Sequence, residues 1–225
     1  MYLYETHMHT SAVSACAVSS AAEQVRAYKK MGYTGVIVTD HFFTGHIRYT
    51  NARNWDKKVE FFASGYSLAK KTGDQVGLDV FFGWEYTIYG LDFLTYGLDM
   101  DFLLEHPRLE RGVRIEEYSR LVRQSGGYLA QAHPFREAYW IPRPTAVMPA
   151  YIDGVEVFNS NMPDVCNLRA HTFAKKHSLP MQSGSDSHEV SPYSFQSGII
   201  LEKRAKTIHD IIDAIKSGSA ELILP

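Results

Sequence analysis

Short apolar runs alternate with longer stretches of helical period along the whole chain. Residues 1–5 read as a first strand, and residues 20–31 as a helix with an acid in its first turn and Gly32 as its stop. The continuous run TGVIVT at 34–39 has the look of a strand buried on both faces. The apolar spacing over 51–71 predicts one long amphipathic helix closed by Gly73; strands at 79–86 and 91–96 follow, separated by a turn at Gly90. Residues 114–125 form the next helix, ending at Gly126-Gly127, and 128–132 the next strand. Four prolines between 134 and 149 predict a surface loop. Beyond it come a strand at 154–158, a helix at 165–177, strands at 180–183 and 198–201, and a last helix at 207–216.

Strands that alternate with helices argue for an α/β fold with a mostly parallel sheet. Seven or eight strands fit a small closed barrel of the TIM type, with a doubly wound open sheet as the alternative. The barrel is favoured because ligand-type residues recur after nearly every strand instead of gathering at one or two. No internal repeat or linker divides the chain, and 225 residues suit one generous domain, 1–225.

Composition narrows the function classes. Apolar residues at 45% and charged residues at 21% exclude a disordered or fibrous chain. A formal net charge of −2 gives no basic field for a long nucleic acid. No run approaches the length of a membrane span, and the first residues lack the marks of a signal peptide. Cys16 and Cys166 are too few for a disulfide framework. Together these lead to the expectation of a soluble cytoplasmic protein. The unusual count is ten histidines.

Their placement supplies the chemistry. Thr6-His7-Met8-His9-Thr10 follows the first strand, Asp40-His41 the second, His133-Pro134 the fifth and Asp186-Ser187-His188 the seventh; Glu85 lies in the third and Asp92 opens the fourth. Positions i and i+2 of an extended segment face the same way, so His7 with His9, and Asp186 with His188, can reach one cation. Imidazoles and carboxylates are ligands of Zn, Mn and Fe, and a carboxylate such as Glu85 can bridge two ions. A glutamate inside the run Val80-Phe81-Phe82-Gly83-Trp84-Glu85-Tyr86 is costly to bury unless it is paired or holds a metal.

The ordered set of His-x-His-Thr, Thr-Asp-His, a strand glutamate, Ala-His-Pro and Ser-Asp-x-His, running from Glu5 to His188, resembles the polymerase-and-histidinol-phosphatase (PHP) family. The resemblance implies a distorted TIM-like (β/α)7 barrel with two or three divalent ions at its C-terminal rim and hydrolysis of phosphoesters. Carried over, it makes His7, His9, Glu85 and Asp186 ligands of a first ion, and Glu85, His133 and Asp92 ligands of a second. Asp92 stands where the family has a histidine, which hardens the site toward Mn or Fe. His41 and His188 match a third site, but its further histidine is absent and the chain reads Ser14-Ala15-Cys16. Cys16 either substitutes there or is buried beside a weak or empty site.

The expected activity is hydrolysis of a small phosphomonoester or short nucleotide by a hydroxide shared between two ions, with Asp186 handling the proton and His188 orienting substrate or a third ion. Arg48, Arg136 and Arg143 are the candidate phosphate ligands, Arg136 foremost, and Asn159 is a candidate substrate contact or helix cap. Tyr139, Trp140 and Tyr151 form either an aromatic wall or loop packing. Hydrolysis of a C–N bond and a non-catalytic metal-binding module are the alternatives. Basic residues at the rim favour the first activity, an acidic or apolar rim the C–N bond.

Overall fold

The computed structural model describes residues 1–139, 141, 145–191 and 197–224. Trp140 and Arg143, named above, lie outside the described residues. Strands β1 (Tyr2–Met8), β2 (Gly35–Val38), β3 (Asp79–Ile88), β4 (Leu91–Tyr96), β5 (Tyr128–Gln131), β6 (Gly154–Asn159), β7 (Met181–Gly184), β8 (Gly198–Leu201) and β9 (Glu221–Ile223) form a sheet in the order β7-β6-β5-β4-β3-β2-β1-β8-β9. The sheet curls into a nearly closed barrel. Thr6 Oγ1 of β1 donates to the Ser183 carbonyl of β7 at 2.7 Å, and Ser187 and the ends of β1 exchange backbone bonds, His9 N to Ser187 O at 2.9 Å and Ser187 N to His7 O at 3.2 Å.

The pairings β1/β2, β2/β3, β5/β6 and β6/β7 are parallel, as the alternation with helices requires. The pairings of β4 with both neighbours are antiparallel, a departure from the mostly parallel sheet expected. The cause is local. β3 and β4 are joined by Tyr89-Gly90, both with positive φ (52° and 80°), the signature of a two-residue type I′ hairpin. Its consequence is that the start of β4, not its end, lies at the rim formed by the C-termini of the parallel strands. Asp92 faces Thr87 near the end of β3 there.

Helix α1 (Ala21–Lys30) begins with a capping box between Ser20 and Glu23. The single helix expected over 51–71 is two: α2 (Trp55–Phe62), capped by Asn54, and α3 (Ser64–Val76), with the break at Ala63. α3 runs past Gly73 and ends at Gly77, which adopts φ 72°. Gly73 is instead a contact glycine, since a Cβ there would lie 2.6 Å from both the Leu78 carbonyl and Val80. Gly65 serves the same purpose beneath the rim: its missing side chain is the space taken by the Asp40 carboxylate and Thr10 Oγ1. The remaining helices are α4 (Met100–Glu105), which the sequence pattern did not announce, α5 (Ile115–Gln124), α6 (Asp164–Lys176) and α7 (Ile208–Ser217).

The barrel interior is filled by Tyr4, Ile37, Leu94, Tyr96, Tyr128 and Ala130, continuous with Ile211, Ile212 and Ile215 of α7. Its buried hydroxyl at Tyr96 donates to the Thr6 carbonyl and accepts from Gln182, tying β4 to β1 and β7. No helix among the described residues is long and apolar enough to cross a membrane.

The close approach at Gly65 gives a test. A methyl group there must displace either α3 or the Asp40 carboxylate, so Gly65→Ala is expected to lower unfolding free energy by about 1–3 kcal/mol in urea titration. An unchanged midpoint would mean that α3 does not press on the rim as described.

Candidate metal centre

The ends of β1, β2, β3, β5 and β7 and the start of β4 converge on one buried cluster. His7, His9, Glu85, Asp92, His133 and Asp186 are each no more than 9% exposed. Glu85 is central: Oε1 lies 3.1 Å from His133 Nε2 and 3.5 Å from His7 Nε2, Oε2 lies 2.7 Å from His41 Nδ1 and 3.4 Å from His9 Nε2. Asp186 faces it, with Oδ1 3.3 Å from His7 Nε2 and 3.1 Å from His9 Nε2. Four sets of three ligand atoms each fall within 4.8 Å of one another: His7, His9 and Glu85; His7, His133 and Asp186; Glu85, Asp92 and His133; and His9, His41 and His188. The sequence-expected metal residues are therefore all brought together.

The polar bookkeeping of the cluster fits cations. His41 Nδ1 and Glu85 Oε2 are buried 2.7 Å apart and Asp186 Oδ1 lies 3.1 Å from His9 Nε2, yet none of the three atoms makes a well-aligned hydrogen bond, an arrangement that costs free energy unless a charge compensates it. The Nε2 atoms of His7 and His9 stand 3.1 Å apart, pointing at each other. Burial opposes a charge on His7, but Glu156, Asp186 and Glu85 outweigh it and raise its pKa well above the usual imidazole value. For His9 burial and the neighbouring His188 and His41 act together, and its pKa is lowered well below that value. The two Nε2 atoms therefore meet across the ground where a metal ion would be held.

A layer of supporting groups aims the rings. His9 Nδ1 donates to Ser14 Oγ at 3.0 Å, and Ser14 Oγ donates to Asp40 Oδ1 at 2.7 Å. Asp40 also accepts from Thr10 N and Thr10 Oγ1; burial nevertheless raises its pKa to about 6. Glu5 accepts from the backbone N–H groups of His7 and Ser185, and burial raises it to about 7. Asp92 Oδ1 accepts from Thr87 Oγ1 at 2.7 Å, the partner that the hairpin register sets opposite it. His133 (φ 25°) and Asp186 (φ 54°) both hold left-handed backbone, strain of the kind that a surrounding structure must enforce.

A cleft of about 850 Å³ opens over the cluster, with His41, Asp92, Asp186 and His188 in its floor and His46, Arg136, Tyr139 and Asn161 in its walls. Cys16 is also on the wall, its Sγ 3.0 Å from His188 Nε2. Burial resists the thiolate, but hydrogen bonds with His188 and His41 prevail and bring Cys16 down to about 6. Among the described residues, Arg136 is the expected arginine that lines the cleft. Arg48 is exposed, points Nη2 toward the Ala17 carbonyl at 3.5 Å, and is not among the described residues lining the cleft. Asn159 is fully buried, its Nδ2 donating to Glu156 and its Oδ1 accepting from Asn161 N, and it is not among the described residues lining the cleft. Its neighbour Asn161 reaches the cleft and donates to the Asp186 carbonyl at 2.7 Å. Of the aromatic residues, Tyr139 lines the cleft; Tyr151 is not among its described lining.

Glu5, Glu156 and Asn161 are the residues that the sequence reasoning passed over. For Glu156 a signal was present, since Val155-Glu156-Val157-Phe158 sets a carboxylate in an apolar strand just as the run around Glu85 does.

No protein-family model and no curated protein sequence matches this chain. Solved structures do. A predicted metal-dependent phosphoesterase from Bifidobacterium adolescentis superposes with a TM-score of 0.58 at 15% identity, covering 94% of each chain. A two-domain protein from Bacteroides vulgatus containing a predicted PHP-like metal-dependent phosphoesterase gives 0.69 at 14% identity, over 98% of this chain and 64% of that one. An amidohydrolase from Chromobacterium violaceum, solved with sulfate and no metal, gives 0.56 at 12% identity, over 94% of this chain and 96% of that one. The likeness establishes a PHP-like, TIM-like barrel fold.

Against the effect of burial, the neighbouring carboxylates raise the pKa values of His7, His41 and His133, and Cys16 with Asp186 that of His188, so metal uptake near pH 7 is expected to release protons and to tighten as pH rises. Calorimetric titration of the metal-depleted protein with Mn²⁺ or Zn²⁺ in two buffers of different protonation enthalpy measures this. Identical heats in the two buffers would contradict the positive charge assigned to this set of imidazoles.

Proposed function

We propose that this chain is a metal-dependent hydrolase acting on small phosphomonoesters or short nucleotides. The observation that carries the reading is Glu85: one carboxylate buried between two groups of donors, its Oε2 against His41 and His9 without a well-aligned hydrogen bond, beneath a cleft with Arg136 in its wall. His7, His9, Glu85 and Asp186 would hold a first ion, and Glu85, Asp92 and His133 a second. His41 and His188 would hold a third, with Cys16 beside them as a sulfur donor. Mn, Fe and Zn all suit these mixed nitrogen and oxygen sets. Such ions, when bound, polarise the phosphoryl group and lower the pKa of water.

The chain's own residues do the rest. Asp186, which would hold the first ion through one oxygen, takes with the other the proton that the attacking water gives up as it bonds to phosphorus in line with the leaving oxygen, and passes that proton to solvent. His188, partly exposed on the cleft floor, orients the substrate. Arg136 grips the phosphate with its fork of N–H donors. The P–O bond to the leaving group breaks, and the departing alcohol takes its proton from solvent in the open cleft. A cleft of this size above the donors favours an enzyme over a non-catalytic module.

A second reading, hydrolysis of a C–N bond, is supported by the likeness to an amidohydrolase and by the acids Asp92 and Asp186 in the cleft. Arg136 and His46 in the walls favour the phosphoester.

The test is a phosphate-release screen over sugar, amino-alcohol and nucleotide phosphates, with protein reconstituted separately with Mn, Fe and Zn. Chelation is expected to abolish turnover. Asp186→Asn should lower kcat by about a hundredfold or more, and Arg136→Ala should act mainly on KM, by about tenfold or more. Wild-type turnover in Asp186→Asn would refute its role. Absence of phosphate release, together with hydrolysis of amides or cyclic ureides, would move the chain to the second reading.

A further inference from the structure

Glu156 lies in the middle of β6, wholly buried, and is not among the proposed ligands. Both of its oxygens are nevertheless spent on the groups that present them. Oε1 accepts from His7 Nδ1 at 2.9 Å. Oε2 accepts from the His133 backbone N–H at 2.9 Å and from Asn159 Nδ2 at 2.9 Å.

Each bond has a distinct effect. An imidazole offers Nε2 to a cation only when its proton sits on Nδ1, and Glu156 is the acceptor that keeps it there on His7. The ring's other edge then faces Glu85 and Asp186, 3.5 and 3.3 Å away. At His133 the bond is to the backbone of a residue in the left-handed region, φ 25°, which a non-glycine side chain adopts only under constraint. Holding that N–H fixes the turn and so aims His133 Nε2 at Glu85 Oε1, 3.1 Å away. Asn159 in turn fixes Glu156.

His7 groups with His9 and Glu85, and His133 with Glu85 and Asp92, while a further set brings His7 and His133 together with Asp186. We propose that Glu156 is a positioning residue that presents His7 and His133 together, making the first two ion positions interdependent: the arrangement that seats one ion is already the arrangement the other requires. The proposal rests on the metal-centre reading above. It separates a carboxylate from its amide, because a glutamine at 156 would offer one oxygen to three donors and turn its own N–H₂ toward the others.

Zinc is titrated into metal-depleted wild-type protein, Glu156→Gln, Glu156→Asp and Asp92→Asn against a chromophoric chelator. Proton NMR of the zinc-loaded proteins follows the hydrogen-bonded His7 Nδ1–H. Glu156→Gln should bind both of the first two equivalents about 10–100-fold more weakly and lose the downfield N–H resonance. Glu156→Asp should restore part of both, and Asp92→Asn should weaken one equivalent alone. A merely structural residue would lower the thermal midpoint of the metal-free protein and leave affinities and resonance in place. Wild-type affinity at either equivalent in Glu156→Gln overturns the proposal; if that variant does not fold, the same readouts on Glu156→Asp decide, with unchanged affinities overturning it. Zinc uptake by wild type with no effect of the substitution sinks this proposal alone, whereas a wild type that takes up no zinc sinks the metal centre with it.

Discussion

Glu85 sits where no isolated carboxylate is stable, enclosed at the barrel rim by His7, His9, His41 and His133, each within 3.5 Å of one of its oxygens. Taking that charge out of water is expensive, and the cost is met only if positive charge arrives on the surrounding nitrogens or between them. Much of the rim follows from this demand. Three strand ends, those of β1, β2 and β5, must bring imidazoles to one point, and beneath them Glu5, Asp40 and Glu156 hold the rings and turns in place. The left-handed backbone at His133 and Asp186 belongs to the same set of constraints, since an ordinary extended residue at either position would send its side chain elsewhere.

The layer below the donors differs from the donors in kind. Asp40 is sealed from beneath by the bare face of α3 at Gly65, Glu5 by Tyr28 and Ser185, and Glu156 by Asn159. These carboxylates accept well-aligned hydrogen bonds from hydroxyl, amide and imidazole donors, while Glu85 and Asp186 each keep an oxygen that meets imidazoles without hydrogen-bonding them. The difference separates the acids that build the site from the acids that can act in it.

Much of this was legible in the residues. The strands and most helices follow from period and punctuation, and the His-x-His and Asp-x-His pairs announce their shared direction because alternate residues of an extended chain face one way. What the chain hid is equally physical. The amphipathic stretch before β3 gives no local sign of its break, since Ala63 is a good helix former, and the close approach of Asp40 to α3 at Gly65 is a tertiary contact that no local pattern reveals. Asn159 looked available because its strand ends at the rim, but only the fold reveals that Glu156, Asn161 and Asn167 have claimed it. Arg48 follows a motif histidine in sequence, yet the chain turns it away toward Ala17. Glu156 could have been found by applying to β6 the burial argument that singled out Glu85.

The gap between β1 and β7 gives the donor cluster another significance. Thr6 and Ser183, 177 residues apart, are joined there by a side-chain hydrogen bond, Glu5 accepts from Ser185, and Ser187 exchanges two backbone bonds with the end of β1. His7 and His9 lie on one side of this seam and Asp186 and His188 on the other. A cation shared between them would be a clasp between segments far apart in the chain, stitching the first strand to the seventh. Its occupancy would then govern more than chemistry. Because an ion that binds only the closed barrel stabilises it by mass action, the free metal concentration sets how often the seam opens, and the barrel's mechanical integrity becomes a readout of metal supply.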